Sequence, residues 1–114
     1  MLKYTKKKGI LLKMSMFAII STYKKNLDEV DKKREEHLAY VKNFILSGKF
    51  LVVGRKNPID GAVIIAHNVT KKELEEIFEN DPYYMNSLAE YAITEFNPAS
   101  FANGLKDILE KLKK

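Results

Sequence analysis

The segment KFLVVGRKNPIDGAVIIAHNV, residues 49–69, carries the clearest structural signal in this chain of 114 residues. Residues 49–56 and 62–69 are two short runs rich in valine and isoleucine, which favour strands. Between them lies NPIDG, in which Pro58 fixes its φ angle and Asp60-Gly61 tolerates a tight backbone. The segment therefore predicts two strands joined as a β-hairpin.

Similar signals on both sides of the hairpin predict two further strands and a first helix. MFAIISTY (16–23) is a short apolar run typical of a buried strand. EYAITEFN (90–97) alternates in the way a partly buried strand does. Between the first strand and the hairpin, a helix is predicted from Asn26, a suitable N-cap, to Gly48, a suitable stop.

The segments after the hairpin predict two more helices. Thr70 and Glu73 have the spacing of a capping box, so a second helix should begin there and break at Pro82, with a short helical turn beyond it. Residues 99–114 form an extra amphipathic helix that is expected to pack against the domain or a partner subunit. Its apolar stripe consists of Phe101, Leu105, Ile108, Leu109 and Leu112.

The resulting order, β-α-β-β-α-β, is that of a ferredoxin-like α+β domain with a four-stranded antiparallel sheet, spanning residues 16–98. Because both crossovers should be right-handed, the first and third strands are expected at the centre, parallel to each other. Both strands are apolar on both faces, but two helices cover only one face of such a sheet. We therefore expect a second subunit to cover the other face, sheet against sheet, in a two-fold homodimer.

Composition excludes several classes of function. The chain has no cysteine, which excludes disulfides and thiolate chemistry, and its two histidines lack the spacing of a metal site. The net charge of +5 comes from five lysines in residues 1–15, which contain no acid, so the rest of the chain is neutral and unsuited to nucleic acid. No apolar run approaches the roughly 18 residues of a membrane span, and nothing points outside the cytoplasm.

The basic residues 1–15 are interpreted as an N-terminal extension of the domain. Met14 and Met16 both stand just before the first strand. The codons for KKGI, residues 7–10, readily contain a purine-rich ribosome-binding sequence. We therefore expect translation to start at one of these two methionines, which the intact mass of the natural protein would test.

Three segments, taken in order, resemble the YciI-like (YCII-related) family. They contain an Arg-x-x-His-Leu helix, a Gly-Lys/Arg-x-Leu strand entry and an Asp-Pro-Phe/Tyr segment before the last strand. The segments are REEHLAYVKNFILSGKFLVVG (34–54), GAVIIA (61–66) and DPYYMNSLAEYAITEFNP (81–98). Relatives often have proline after the glycine of the second strand, where this chain has Arg55.

The resemblance, which runs from about residue 16 to 98, implies a dimeric α+β barrel built from ferredoxin-like subunits. It also implies a His–Asp pair at a pocket, which falls on His37 and Asp81 in this chain. Members of the family have been associated with small-molecule chemistry, including dechlorination of a hydroxylated aromatic. Similar barrels also serve isomerases and cofactor-free oxygenases, so the fold alone does not select a reaction.

The implied pair has a coherent chemistry. A carboxylate that accepts one imidazole N–H fixes the tautomer, leaves the other nitrogen free as a base and stabilises the imidazolium. His37 and Asp81 would then move a proton from a carbon acid or a phenol, in an isomerase, lyase or dehalogenase reaction without a cofactor. Taken singly, each also has an ordinary structural interpretation: His37 lies beside the apolar stripe of its helix, and aspartate is common before proline in turns.

Further residues are candidates for contacts with a substrate. Arg34, one helical turn before His37, suits a substrate carboxylate or phenolate, or equally a surface salt bridge with Asp31 or a nearby glutamate. The candidates for lining a pocket near the strand ends are Ser21, Tyr23, Gly54 and Tyr83. His67 closes the third strand and is interpreted as a surface or strand-end residue without a site role.

Other functions use the same topology. RNA-recognition domains need aromatic residues on the central strands, and DGAVIIAHN has none, so this function is rejected. Metal chaperones of this topology need paired cysteines, which are absent. Two alternatives to an enzyme stay open: a non-catalytic module that binds a small molecule for regulation, and a structural or assembly partner.

Overall fold

The computed structural model describes residues 15–112, so all but the last residue of the predicted extension 1–15, and Met14 as a start, lie outside the described residues. The strands are β1 (Met16–Tyr23), β2 (Phe50–Arg55), β3 (Gly61–His67) and β4 (Ala89–Phe96). The helices are α1 (Leu27–Asp31), α2 (Arg34–Leu46), α3 (Lys71–Glu79), α4 (Pro82–Met85) and α5 (Leu105–Lys111).

The four strands form one sheet in the order β2-β3-β1-β4, which confirms the ferredoxin-like α+β fold. The first and third strands lie at the centre, as predicted, but they are antiparallel rather than parallel. The helical crossover after β1 returns the chain so that β2 runs in the same direction as β1. The hairpin then reverses β3, which inserts between the two, so every neighbouring pair in the sheet is antiparallel.

The two faces of the sheet have different surroundings. One face packs under the helices and forms the main hydrophobic core, whose buried members are Phe17, Ile19, Val41, Phe50, Ile64, Ala66, Leu74 and Phe78. The opposite face, here called the open face, carries Ile20, Val52 and Phe96, which are 41%, 62% and 40% exposed. An apolar strip of this kind on a sheet is characteristic of an interaction surface.

The predicted first helix is in fact two helices. Its N-cap is confirmed, because the Asn26 side chain accepts a hydrogen bond from the Glu29 backbone N–H, but α1 ends at Asp31. The turn at 32–33 separates α1 from α2, which begins without a side-chain cap. The break lets the two helices pack on different clusters: Val30 joins a small cluster with Tyr83, whereas α2 packs on the main core.

The predicted capping box at the start of α3 is present. The Thr70 hydroxyl accepts from the Glu73 backbone N–H, and the Glu73 carboxylate accepts from the Thr70 backbone N–H. The hydrogen bond from the Thr70 backbone N–H lowers the pKa of Glu73. Pro82 starts the short helix α4, with Asp81 as its N-cap.

The C-terminal helix is shorter than predicted, because residues 98–102 are irregular and α5 covers only Leu105–Lys111. Of its predicted apolar stripe, Leu109 is buried and Phe101 half-buried, but Leu105, Ile108 and Leu112 are exposed. Within residues 15–112, no helix has the length and apolar character needed to cross a bilayer.

A β-bulge in β2 sets which side chains reach the helical face. The register with β3 shifts between Phe50 and Val52, so the alternation of side chains is offset by one residue. Arg55 consequently faces the helices, on the same side as Phe50. Gly54 shares the open face with Val52.

Gly61 begins β3 directly beside β1. A Cβ atom at this position would overlap the backbone carbonyl oxygen of Ser21, so Gly61→Ala should force the two central strands apart. We expect a loss of at least about 2 kcal/mol in the free energy of unfolding, which lowers Tm by roughly 10 °C in a thermal melt. Gly54→Ala is the control, since a Cβ atom there meets nothing within 4 Å. Equal melting temperatures for the two variants would contradict this packing.

Candidate active site

The structure brings His37 and Asp81 together between the helices and the sheet. Nδ1 of His37 lies 2.8 Å from Oδ1 of Asp81, a hydrogen bond that joins residues 44 positions apart. His37 is on the first turn of α2, and Asp81 caps α4. The Asp81 side chain is only 1% exposed and the His37 side chain 11% exposed, so the pair is shielded but not sealed.

The Asp81 carboxylate accepts from three groups at once. Besides His37, the backbone N–H of Tyr83 donates to Oδ1 at 2.8 Å, and the Tyr91 hydroxyl donates to Oδ2 at 3.0 Å. Because Asp81 accepts from the Tyr83 N–H and the Tyr91 hydroxyl, we assign Nδ1 of His37 as the donor in the bond between the pair. The neutral imidazole is thereby the Nδ1–H tautomer, and its lone pair is on Nε2.

The Tyr83 ring fixes the plane of the imidazole. The two rings stack with centroids 3.8 Å apart and an interplanar angle of 5°. Tyr23 contacts the same tyrosine edge to face, with centroids 5.9 Å apart.

A second polar group lies at the far side of the Tyr83 ring. The Arg55 guanidinium donates through Nε to the Tyr23 hydroxyl at 3.2 Å and through a terminal nitrogen to the Asp31 carboxylate. Its charge also acts on the Tyr83 hydroxyl, although burial is the larger influence and raises the pKa of Tyr83. The site is therefore a continuous row of polar and aromatic groups with Asp31 at one end and Asp81 at the other.

Of the residues predicted to line a pocket, Tyr23 and Tyr83 belong to this row, and Ser21 is buried on the same face of β1, opposite Tyr91. Gly54 does not join them, because it lies on the open face of the sheet. Arg34 is exposed at the start of α2.

The structure changes two interpretations made from the sequence, the salt bridge of Arg34 with Asp31 and the exposure of His67. Asp31 pairs with Arg55, not with Arg34, and no ion pair of Arg34 is found within residues 15–112. His67 does end β3, but it is buried with 2% of its surface exposed, so its interpretation as a surface residue is wrong.

Sequence patterns did not assign a role to Tyr91 or Arg55, although both hold the site together. Tyr91 faces the helices from β4, and burial, followed by the charge of Asp81, raises its pKa, so its hydroxyl stays a donor at neutral pH. The alternation of EYAITEFN was the available signal for Tyr91. The signal for Arg55 was its position where relatives often have proline.

Tyr91 also borders a shallow cavity of about 400 Å³ at the edge of β4. The lining residues are Ile20, Thr22, Tyr84, Glu90, Tyr91 and Ala92. His37 does not line this cavity, so the cavity adjoins the pair only through Tyr91. Within the described part of the chain, no group of three or more histidine and carboxylate side chains is placed to hold a metal ion.

Fold and site together define a ferredoxin-like α+β domain with a buried histidine–aspartate pair between its helices and its sheet. The YCII-related domain family matches residues 15–97, most of the chain, and the protein belongs to this family. No curated protein matches the chain.

Among solved structures, the chain is similar to a 5-chloro-2-hydroxyhydroquinone dehydrochlorinase from Burkholderia phenoliruptrix AC1100, solved in complex with 2,5-dihydroxybenzoquinone. The TM-score is 0.59 at 20% identity, over 80% of this chain and 97% of the other. At this identity, the likeness establishes the common fold.

Proposed function

We propose that the protein is a small-molecule enzyme that works without a cofactor and uses His37 as its general acid and base. One observation carries the proposal: the Nδ1–H of His37 donates to a buried carboxylate that also accepts from Tyr83 and Tyr91. A carboxylate needed only to cap α4 does not require a histidine partner. The pair instead has the parts that general acid–base catalysis needs.

The proton would move through Nε2 of His37. Nε2 takes a proton from a C–H or a phenolic O–H of the substrate, and the imidazolium formed is stabilised by Asp81. Returning that proton to another carbon gives an isomerisation. Loss of a leaving group such as chloride from the carbanion or phenolate gives an elimination, with the proton finally released to solvent.

Among these reactions, elimination of hydrogen halide has additional support. The similar structure is named a dehydrochlorinase of a chlorinated hydroxyhydroquinone, and its bound ligand is a dihydroxybenzoquinone. The two chains share the fold. The Tyr23 and Tyr83 rings beside His37 would also suit an aromatic substrate.

Hydrogen–deuterium exchange tests the proposal even though the substrate is unidentified. The protein is incubated in D2O with a library of carbon acids, phenols and halogenated hydroquinones, and mass spectrometry follows deuterium uptake and halide loss. We expect at least one compound to exchange or react with the wild type and not with His37→Asn. A compound that binds both proteins equally, with no exchange or turnover anywhere, would instead support the non-catalytic binding module.

We further propose that the open face mediates a two-fold homodimer, since the apolar side chains of Val52 and Ile20 are exposed there within residues 15–112. A charge within such an interface would be buried without a partner. Val52→Glu should therefore shift the protein from dimer to monomer in analytical ultracentrifugation. Ile59→Glu, a matched change at an exposed turn residue, should leave the dimer intact. A monomeric wild type would refute the dimer.

A further inference from the structure

The Arg55 guanidinium belongs to the row of polar and aromatic groups that runs from Asp31 to Asp81. The β-bulge between Phe50 and Val52 turns its side chain toward the helices, and bulges commonly re-aim a side chain next to an active site. The side chain is 20% exposed and contacts Tyr23 both through its Nε and across the ring face. Burial opposes its charge, but hydrogen bonds to Asp31 and Tyr23 hold the pKa of Arg55 above its usual value.

The Tyr83 hydroxyl lies beside this guanidinium and is buried. Within residues 15–112, it makes no hydrogen bond of normal geometry. Buried hydroxyl groups are rarely left in this condition. Arg55 thus lies beside the hydroxyls of Tyr23 and Tyr83, and within residues 15–112 the carboxylate that it binds is that of Asp31.

Asp31 is weakly held in that position. Its side chain is 43% exposed, and it is the last residue of the five-residue helix α1, where the backbone carbonyls disfavour a negative charge. Ion pairs with this degree of exposure contribute little to stability, at most about 1 kcal/mol. An anion from solution could therefore replace the Asp31 carboxylate without unfolding the site.

We propose that Arg55, with the Tyr23 and Tyr83 hydroxyls, is a binding subsite for an anionic oxygen of the substrate, and that Asp31 occupies this subsite in the free protein. The inference rests on the proposed function and narrows it. The substrate class becomes a small phenolate or enolate, in which the anionic oxygen binds Arg55.

The position of the subsite fits proton transfer at His37. The Tyr83 ring stacks on the imidazole and its hydroxyl is next to the guanidinium, so the base and the cation both contact the same tyrosine, one at the ring face and the other at the hydroxyl. In the proposed complex, a planar ligand anchored by its oxygen at Arg55 would extend along Tyr83 toward the imidazole. A guanidinium at that oxygen would also stabilise the negative charge that develops when a proton is removed from the ring.

Binding of 2,5-dihydroxybenzoquinone, a coloured dianion at neutral pH, tests the subsite by absorbance titration. Because Asp31→Asn removes the competing carboxylate, it should tighten binding about tenfold relative to wild type. Loss of a charge-assisted pair in Arg55→Gln should weaken it about tenfold or more, with Arg55→Lys between the two. Neutral 1,4-hydroquinone is the matched probe, and its affinity should not follow this order.

Three results would overturn the subsite. The first is equal affinity of wild type and Arg55→Gln for the dianion. The second is unchanged or weaker binding in Asp31→Asn, which also decides the matter if Arg55→Gln fails to fold. The third is no binding of the dianion to wild type or Asp31→Asn at millimolar concentration. His37→Asn separates this proposal from the proposed function, because it should abolish proton exchange while changing the affinity for the dianion less than about threefold.

Discussion

Asp81→Ala should cost the protein roughly 4 kcal/mol of its free energy of unfolding, a large share of the stability of a domain this size. The change removes the acceptor for His37 Nδ1–H, Tyr83 N–H and the Tyr91 hydroxyl. Each buried donor left without a partner costs about 1–3 kcal/mol. The bond from the Tyr83 N–H is also the N-cap of α4, so its loss is one of these three contributions and not a fourth. The total is reduced where water reaches the vacated space.

Asp81→Asn is the matched variant, because its amide oxygen still accepts from His37 and Tyr83 while its NH2 faces the Tyr91 oxygen. We expect it to lose less than about 1.5 kcal/mol in urea unfolding. Asp107→Ala, on an exposed turn of α5, should change stability by less than about 0.5 kcal/mol. If Asp81→Ala were as stable as Asp107→Ala, the three hydrogen bonds would not hold this part of the fold together.

His37→Asn should abolish most of the catalysis while leaving the protein folded. The asparagine amide can place an N–H near the position of Nδ1, so Asp81 keeps a donor. No basic nitrogen replaces Nε2. General base catalysis typically contributes about 10²–10⁴-fold to a rate. We therefore expect kcat for any exchange or elimination substrate to fall by at least about 10²-fold, with KM changed much less.

The split between kcat and KM separates a catalytic role from a structural one. If His37 only supported packing, its replacement would lower the melting temperature without a specific effect on kcat. Tyr91→Phe supplies the intermediate case, since it removes one donor from Asp81 and leaves the imidazole in place. A His37→Asn protein with wild-type kcat would refute His37 as the acid–base group.

Features that depend on neighbouring residues could be predicted from the sequence. The N-cap at Asn26 and the capping box of Thr70 with Glu73 are hydrogen bonds between residues three apart, and both are present. The first strand has the predicted bounds, Met16–Tyr23. The order of elements, with right-handed crossovers, was then sufficient for the sheet order, although not for the relative direction of its central strands.

Features that depend on tertiary packing could not be predicted from the sequence. The helix break at 32–33 lies within a run of charged residues without proline or glycine, and Val30 before it and Val41 after it pack in separate clusters. No signal in the sequence indicates the bulge between Phe50 and Val52 either. The bulge nevertheless determines that Arg55 faces the helices and that Gly54 does not.

In the candidate site, too, contacts between residues far apart in the chain could not be predicted from local sequence. His37 and Asp81 are 44 residues apart, so only the family resemblance could pair them in advance. The bonds of Arg55 to Asp31 and of Tyr91 to Asp81 link different elements, and nothing in the local sequence specifies them. Alternation along β4 indicated that Tyr91 points inward, but not which carboxylate it meets.

The most direct measurement of the central claim is the protonation state of the His37 ring nitrogens by ¹⁵N NMR. At a pH where the ring is neutral, we expect Nδ1 to carry the proton and Nε2 to be bare, because Asp81 accepts from Nδ1. When both proteins are measured at that pH, the wild type should show the preference for Nδ1–H and Asp81→Ala should have lost it. A wild-type spectrum in which Nε2 carries the proton would contradict the acid–base role, since His37 would then present no base to a substrate.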